Sequence, residues 1–437
     1  MKILPVTLCL LAAILLPGWR WLSVSSGTHP TPSDLDLLLK ERRYLDLEEA
    51  LVAASPELSP TDRALFEGVM ANRRNRASES IKLVQPLLPA LAVANKERAV
   101  IALSVLADDY EKTFQYSAAA DAYTELVQNF QPYMSAEDFG KAKQEAQRWN
   151  LLRGAPPQTS VVDGPFTIKT DRNRMGLLQT SVTIAGQTIS MILDTGANLS
   201  AISRSMAQQL GLKLSTGEAM IEGITGNPVP VHASVIPELQ IGKAIFRNVA
   251  VIVVDDKDLF VKPFQYSLPG SLGFPVLSAL GKITFFADQR FGVELPPTQG
   301  KRLNGNLFLQ RLTPIVAGGI DGRQELFTID TGAGGFFLSY HYYNDHLHQF
   351  DSQLVDELIL TGAGGTRTLP AYYLRHLDLS LGGACVGLND VAVLLKPRGV
   401  SDDYFYGNLG QKAFRRFSSY TFDFRNMSFT VDGPACR

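Results

Sequence analysis

The chain has 437 residues, 45% of them hydrophobic and 19% charged, which is too long for one ordinary domain and too apolar for a disordered chain. Lys+Arg 41 against Asp+Glu 43 gives a formal charge of -2, which excludes nucleic acid as the main partner because phosphate neutralisation needs a basic excess. Cys 3 excludes a disulfide-built scaffold, a zinc ribbon and an iron–sulfur protein, and His 6 leaves little material for a His-rich metal site, so no cofactor and no metal are expected.

The first 26 residues read as an export signal. Ile3 to Trp19 is uncharged and sits between Lys2 and Arg20. Val24-Ser25-Ser26 offers the small residues at which a signal peptide is cut. The same run also fits an uncleaved anchor, although Pro5 and Pro17 weaken it as a membrane helix. Leu8 before Cys9 argues against a lipoprotein site. Either reading exports the rest, so the expected location is periplasmic or secreted, with membrane attachment only if the segment stays. In an oxidising compartment Cys385 and Cys436 are either a disulfide pair or two separate buried thiols.

Residues 33–153 carry a helical period. Leu103, Leu106, Ala107 and Tyr110, then Ala119, Ala122, Tyr123 and Leu126, recur at three and four. Pro56, Pro60, Pro86 and Pro89 punctuate short helices. Leu106-Ala107 with Tyr110, Ala119 and Tyr123 resembles one tetratricopeptide unit, and a plain helical bundle is the other reading. Such a domain serves either as packing or as a surface for a protein partner. Pro156-Pro157 ends it and predicts few contacts across the linker.

Beyond the linker the texture is β, with Val/Ile/Thr/Phe alternation and Gly turns. This part repeats itself at a nearly constant offset, as residues 161–295 and 303–437. Ile192-Leu193-Asp194-Thr195-Gly196-Ala197 returns as Thr328-Ile329-Asp330-Thr331-Gly332-Ala333. Gly223-Ile224-Thr225-Gly226 returns as Gly362-Ala363-Gly364-Gly365, and Gly270-Ser271-Leu272-Gly273 as Gly407-Asn408-Leu409-Gly410. Both halves end in an apolar strand pair. Landmarks in one order at one spacing indicate a duplicated unit.

On these residues the sequence resembles bacterial retropepsin-like aspartic peptidases, with two units fused. The resemblance implies an all-β bilobal aspartic-protease fold, two retropepsin-like lobes behind an all-α helical-repeat domain. It implies an aspartic endopeptidase acting on a peptide or protein substrate. Asp194 and Asp330 would share one proton and activate a water, because two adjacent carboxylates cannot both ionise comfortably. Thr195 and Thr331 would hydrogen-bond across the pseudo-twofold. Gly196 and Gly332 would let the backbone approach the carboxylates. Leu272-Gly273 and Leu409-Gly410 would pack beneath the loops, and Gly223–Gly226 and Gly362–Gly365 would form flap hairpins over substrate. A plain hairpin turn is the other reading of those glycine pairs.

The chain departs from the family pattern in several places. Ser200 stands six positions after Asp194, where the family has Ser or Thr, but Phe336 takes that place in the second half. Phe274-Pro275 and Gln411-Lys412 follow the Leu-Gly motifs instead of an Asp or Asn. Neither flap tip has a Tyr. A non-catalytic peptide-binding protein, or an envelope scaffold on the same fold, is the rival function. His341 and Asp345 share a helix face without a third ligand, so no metal is assigned there.

Overall fold

The structure, a computed structural model, describes residues 29–223, 226, 228–295, 305–351, 353–398 and 404–434. The apolar N-terminal run, Ile224, Thr225 and Cys436 lie outside the described residues. Among the described residues no helix is long and apolar enough to cross a membrane.

The N-terminal part is helical: α1 (Pro32–Lys40), α2 (Tyr44–Ala54), α3 (Pro60–Arg73), α4 (Ala77–Val84), α5 (Leu88–Ala94), α6 (Lys96–Lys112), α7 (Tyr116–Asn129) and α8 (Ala136–Leu151). Local chemistry sets the starts. Thr31 and Asp34 form a capping box, Ser59, Asn95 and Ser135 each accept a first-turn amide, and Pro32 and Pro60 occupy first turns. The residues at three-and-four spacing face inward. Leu103, Leu106, Ala107, Ala119, Ala122, Tyr123 and Leu126 are all buried.

The rest is β-rich. In one sheet, Ser271–Leu272 pairs in parallel with Gln187–Leu193 and antiparallel with Ser200–Ser203, which in turn runs parallel to Ala244–Val254. In a second sheet, Gly407–Leu409 pairs in parallel with Arg323–Ile329 and antiparallel with Phe337–Leu338, which runs parallel to Ala384–Leu394. The sequence repeat is thus also a repeat of pairings. The terminal strand pairs of the two halves join in a five-stranded sheet in which Lys282–Phe286 pairs with Ser419–Asp423. Within it Phe285 stacks on Tyr420 at 4.7 Å, and the hydroxyls of Thr284 and Thr421 meet at 2.9 Å.

The helical and β parts are closely joined, which corrects the expectation of few contacts across Pro156-Pro157. Arg74 donates to the carbonyls of Gly305 at 2.7 Å and Leu307 at 2.9 Å, and its guanidinium lies 3.7 Å from the Phe308 ring centre. The Tyr44 hydroxyl bonds Gln310, and Asn75 donates to the Phe424 carbonyl at 3.3 Å. Arg311, in the turn after Leu307–Gln310, enters the helical part and reaches Glu145 at 2.6 Å and Glu111 at 2.8 Å. Tyr123 and Trp149 also donate to Glu111 Oε1, at 2.7 and 2.8 Å. Prolines break the regular hydrogen bonding of a linker but place no limit on the surfaces either side of it.

Arg311→Ala removes the cation that Glu111 and Glu145 share, leaving Glu145 with Arg148 alone and Glu111 with the donors Tyr123 and Trp149. Loss of one member of such a group costs about 3–5 kcal/mol. Urea unfolding of the full chain should show a loss of that order, and an unchanged midpoint would mean the contact contributes nothing.

Burial raises Glu111 from 4.5 to about 7. Its Oε2 is buried without a hydrogen-bond partner, as suits a proton held there. Between 4.5 and about 7 the native state holds a proton that the unfolded chain has released. This group's contribution is therefore full below the unfolded value and is lost as pH rises through the folded one. Thermal unfolding from pH 4 to 8 should fall less steeply with pH in Glu111→Gln than in the parent; parallel curves would contradict the assignment.

Candidate active site

Each Asp-Thr-Gly loop leaves the end of a strand, Gln187–Leu193 or Arg323–Ile329. The amide of Asp194 donates to the Leu272 carbonyl at 3.0 Å, and that of Asp330 to the Leu409 carbonyl at 2.9 Å. The leucines of the Leu-Gly motifs, both buried, thus fix where each carboxyl stands.

The glycines of those motifs are required by close approach. A Cβ on Gly273 would lie 2.7 Å from the carbonyl oxygen of Leu199, and one on Gly410 2.6 Å from that of Ala333. Ser200 Oγ accepts the Gly273 amide at 3.0 Å. Phe336, at the corresponding place, is buried and has no hydroxyl to do this.

The two loops grip each other. The amide of Thr195 donates to Thr331 Oγ1 at 3.0 Å, and the amide of Thr331 to Thr195 Oγ1 at 3.1 Å. Each hydroxyl then donates onward, Thr195 to the Ile329 carbonyl at 3.3 Å and Thr331 to the Leu193 carbonyl at 2.6 Å. Both threonines are fully buried.

This grip sets each loop's glycine against the other loop's carboxyl. Gly196 faces the opposite carboxyl so closely that a Cβ there would sit 2.6 and 2.7 Å from the oxygens of Asp330. A Cβ on Gly332 would lie 2.7 Å from Asp194 Oδ2. A side chain at either position would therefore separate the pair.

Burial, then the charge of Asp330 and the hydrogen bond to it, hold Asp194 well above the usual carboxyl range. The amides of Gly196 and Ala197 donate to Asp194 Oδ1 at 3.0 and 3.1 Å and oppose that rise. Burial also raises Asp330, but the Gly332 amide at 2.8 Å, the hydrogen bond from Asp194, the Ala333 amide and the charge of Arg398 all act against it. Both carboxyls are thus raised, and as neighbours they titrate as a pair rather than separately.

Behind the second loop stands a residue that sequence reading noted only as a departure. Gln411, fully buried, donates to the Thr331 carbonyl at 2.9 Å and accepts from Arg172 at 3.0 Å. Its place directly after Leu409-Gly410 was the available signal. Nothing in the sequence marks Arg172 or Arg398.

Asp194, Gly196, Ala197, Ser271 and Gly332 line a cleft of about 380 Å³. Its apolar wall includes Ile221, Ile252, Val254, Leu259 and Leu268. Gly223 and Gly226 belong to the turn of the hairpin Ala219–Glu222 and Pro228–Ile241, and the Gly226 amide donates to the Gly223 carbonyl at 2.9 Å. Gly362 pairs with Gly365 at the tip of the hairpin Asp356–Gly362 and Gly365–Leu381, and Thr361, Gly362 and Ala363 line the cleft. The Gly364 amide donates to the Asp258 carbonyl at 2.8 Å, so this tip rests on the first β unit. Leu151 of α8 packs in the same small apolar cluster as Ala219, Val229 and Ala363.

The remaining candidates stand apart. His341 Nε2 is 4.0 Å from Asp345, and among the described residues no group of three or more metal-binding side chains gathers. Cys385 is disulfide-bonded, and its amide donates to the Pro434 carbonyl at 2.9 Å beside the C-terminal segment that contains Cys436. A second cavity, about 410 Å³, lies between Leu151, Ala155 and Lys213, where neither carboxyl reaches it.

A family model described as "Aspartyl protease" matches residues 180–276, the stretch that holds the first loop and its Leu-Gly motif. The chain is 28% identical over 193 residues to the Gag-Pol polyprotein of Walleye dermal sarcoma virus, covering 42% of this chain and 10% of that protein. It therefore spans about a tenth of that relative's length. A solved retropepsin-like aspartic protease from Rickettsia conorii is 20% identical, with a TM-score of 0.22, over 32% of this chain and 95% of its own. The family match supports a likeness to aspartyl proteases over residues 180–276.

Proposed function

We propose that the chain is an aspartic endopeptidase of two fused units, in which Asp194 and Asp330 together activate a water. The observation that carries this reading is the reciprocal geometry of the two loops, in which each Thr amide meets the other's hydroxyl and each Gly lies against the opposite carboxyl. Binding a peptide does not require two facing acids, whereas acid–base hydrolysis does.

In the proposed reaction the ionised carboxyl of the pair, Asp330 in this assignment, takes a proton from the water as its oxygen attacks the scissile carbonyl carbon. Asp194 gives its proton to the carbonyl oxygen, which yields a tetrahedral diol. Collapse of that diol breaks the C–N bond. Asp330 returns a proton to the departing amine, and a hydroxyl proton of the diol restores Asp194. No covalent enzyme intermediate forms. The two hairpins, which line the cleft through Ile221 and Glu222 on one and Thr361, Gly362 and Ala363 on the other, suit a cover that excludes water.

The stacking of α6, α7 and α8 on one another supports a tetratricopeptide-like arrangement, with a protein partner as one use of its outer face. The disulfide at Cys385 and the apolar N-terminal run support an exported, periplasmic or secreted protein.

Asp194→Asn and Asp330→Asn should each reduce peptide cleavage by about 10³-fold or more, since removing one member abolishes the shared-proton pair. New termini in a peptide mixture, read by mass spectrometry, measure this. Near-parental activity in Asp330→Asn would overturn the fused-pair reading and favour pairing between two chains.

The pH profile follows from the same pair. Asp194 is raised, so the one-proton state persists upward in pH and activity is lost as pH climbs through that raised value. Activity is expected in mildly acidic to near-neutral conditions. A hydroxyl at position 197, beside the amide that already bonds Asp194, would favour the charged form. In Ala197→Ser the basic limb should move to lower pH by about one unit. An unmoved limb, or parental activity only at strongly acidic pH, would contradict it.

A further inference from the structure

The wall of the cleft is not built by the β part alone. Arg148, in the last turn of α8, lines it together with Asp194, Glu222 and the apolar wall. Among the described residues lining the cleft, Arg148 is the one cation. We propose that Arg148 is a specificity-determining residue that recognises a carboxylate on the bound peptide, an acidic side chain lying beside an apolar one. This rests on the reading of the cleft as a peptide site.

The guanidinium is held before any ligand arrives. Its Nη1 lies 3.0 Å from Glu145 Oε1 and 3.1 Å from Oε2, and the side chain is only 13% exposed. Glu145 is itself anchored by Arg311 at 2.6 Å. A fixed planar fork loses little freedom on meeting a carboxylate. The bonds to Glu145 use Nη1, while Nε is buried with no hydrogen-bond partner. A guanidinium has five donors, and the bonds to Glu145 take only those of Nη1.

The charge is not spent either. Glu145 is shared by two guanidiniums, Arg148 and Arg311. Asp108, 3.7 Å from Arg311, is bound to Arg73 at 3.0 Å. Glu111, the other acid on Arg311, is raised by burial to about 7 and so is partly neutral near that pH. At the cleft wall itself the cation is Arg148, and the acid that pairs with it, Glu145, is shared with Arg311. Asp194 with its partner, and Glu222 at the hairpin, present negative charge elsewhere along it. A peptide carboxylate is attracted at one place and repelled at the others, which makes the preference positional.

The test uses the full chain carrying Asp330→Asn, so that peptides stay uncut, and reads fluorescence anisotropy. The probes are labelled apolar peptides that differ only by Glu, Gln or Lys at one position, scanned along the sequence. At one position Glu should bind about tenfold tighter than Gln, the order of one charge-assisted hydrogen bond, with Lys weakest. Adding Arg148→Gln should bring Glu and Gln within about twofold of each other, and Arg148→Lys should keep part of the difference. Equal binding of Glu and Gln peptides at every position, a preference that survives Arg148→Gln, or no binding by any peptide would each overturn the proposal. If Arg148→Gln does not fold, loss of the preference in a folded Arg148→Lys supports it, as does a reduced preference there, whereas an undiminished one overturns it. Discrimination by the uncut complex without cleavage by the parent would refute the peptidase reading alone. Cleavage without discrimination would refute this inference alone.

Discussion

Two carboxyl groups do not stay side by side unless something stiffer than their repulsion holds them there. In this chain that constraint is the double exchange between Thr195 and Thr331, in which each amide meets the other's hydroxyl and each hydroxyl reaches past to the other strand's carbonyl. The exchange joins loops that are otherwise far apart in sequence and sets the separation of Asp194 and Asp330. It works only because the loops are already positioned by parallel pairings, Leu193 with Leu272 and Ile329 with Leu409. The missing side chains at Gly196 and Gly332 leave the space in which the carboxyls meet. Strand register, threonine exchange and glycine approach are therefore one device. Relaxing any of them lets the carboxyls part and ionise separately.

The parts of this device that repeat within a few residues were legible in the sequence. Asp194-Thr195-Gly196-Ala197 and its echo, the two Leu-Gly motifs and the change from helical to β periodicity are short patterns whose spacing reflects local geometry. What could not be read depends on distant pairs. Glu111, Glu145 and Arg311 look like solvated surface charges in the sequence, since periodicity records apolar faces and is silent on which charges meet. Gln411 was visible as a departure, but its use was not, because its partner Arg172 lies more than half the chain away. The paired prolines of the linker misled for a related reason: they describe the path of the backbone, while the junction is made by side chains on either side of it.

The repeat is close in topology and unequal in chemistry. In the first unit Ser200 accepts the Gly273 amide. In the second, Phe336 fills that space with an apolar ring, and Gln411 supports the loop from the other side through the Thr331 carbonyl. Loss of a hydroxyl here is balanced by an amide there, so the backbone of both loops remains tied. The electrostatics diverge as well. Arg398 acts against the rise at Asp330, whereas the charge of Asp330 adds to the rise at Asp194. A symmetric pair would share its proton evenly. An unequal pair need not, and under the proposed reaction that inequality would divide the roles of acid and base between the units.

The helical part enters the same argument through α8. One end of this helix carries Leu151 into the apolar cluster beneath the first hairpin and Arg148 into the cleft wall, and one turn earlier Glu145 receives Arg311 from the second unit. A single helix thus touches the hairpin of one unit, the turn of the other and the space between them. Burial on this scale is hard to reconcile with a tethered accessory that moves independently, because separating it would expose Glu111, Glu145 and Arg311 at once. The cleft is therefore a surface of the whole chain. Its floor comes from the repeated β units, whose sequence announces them, and part of its wall comes from a helix whose sequence does not.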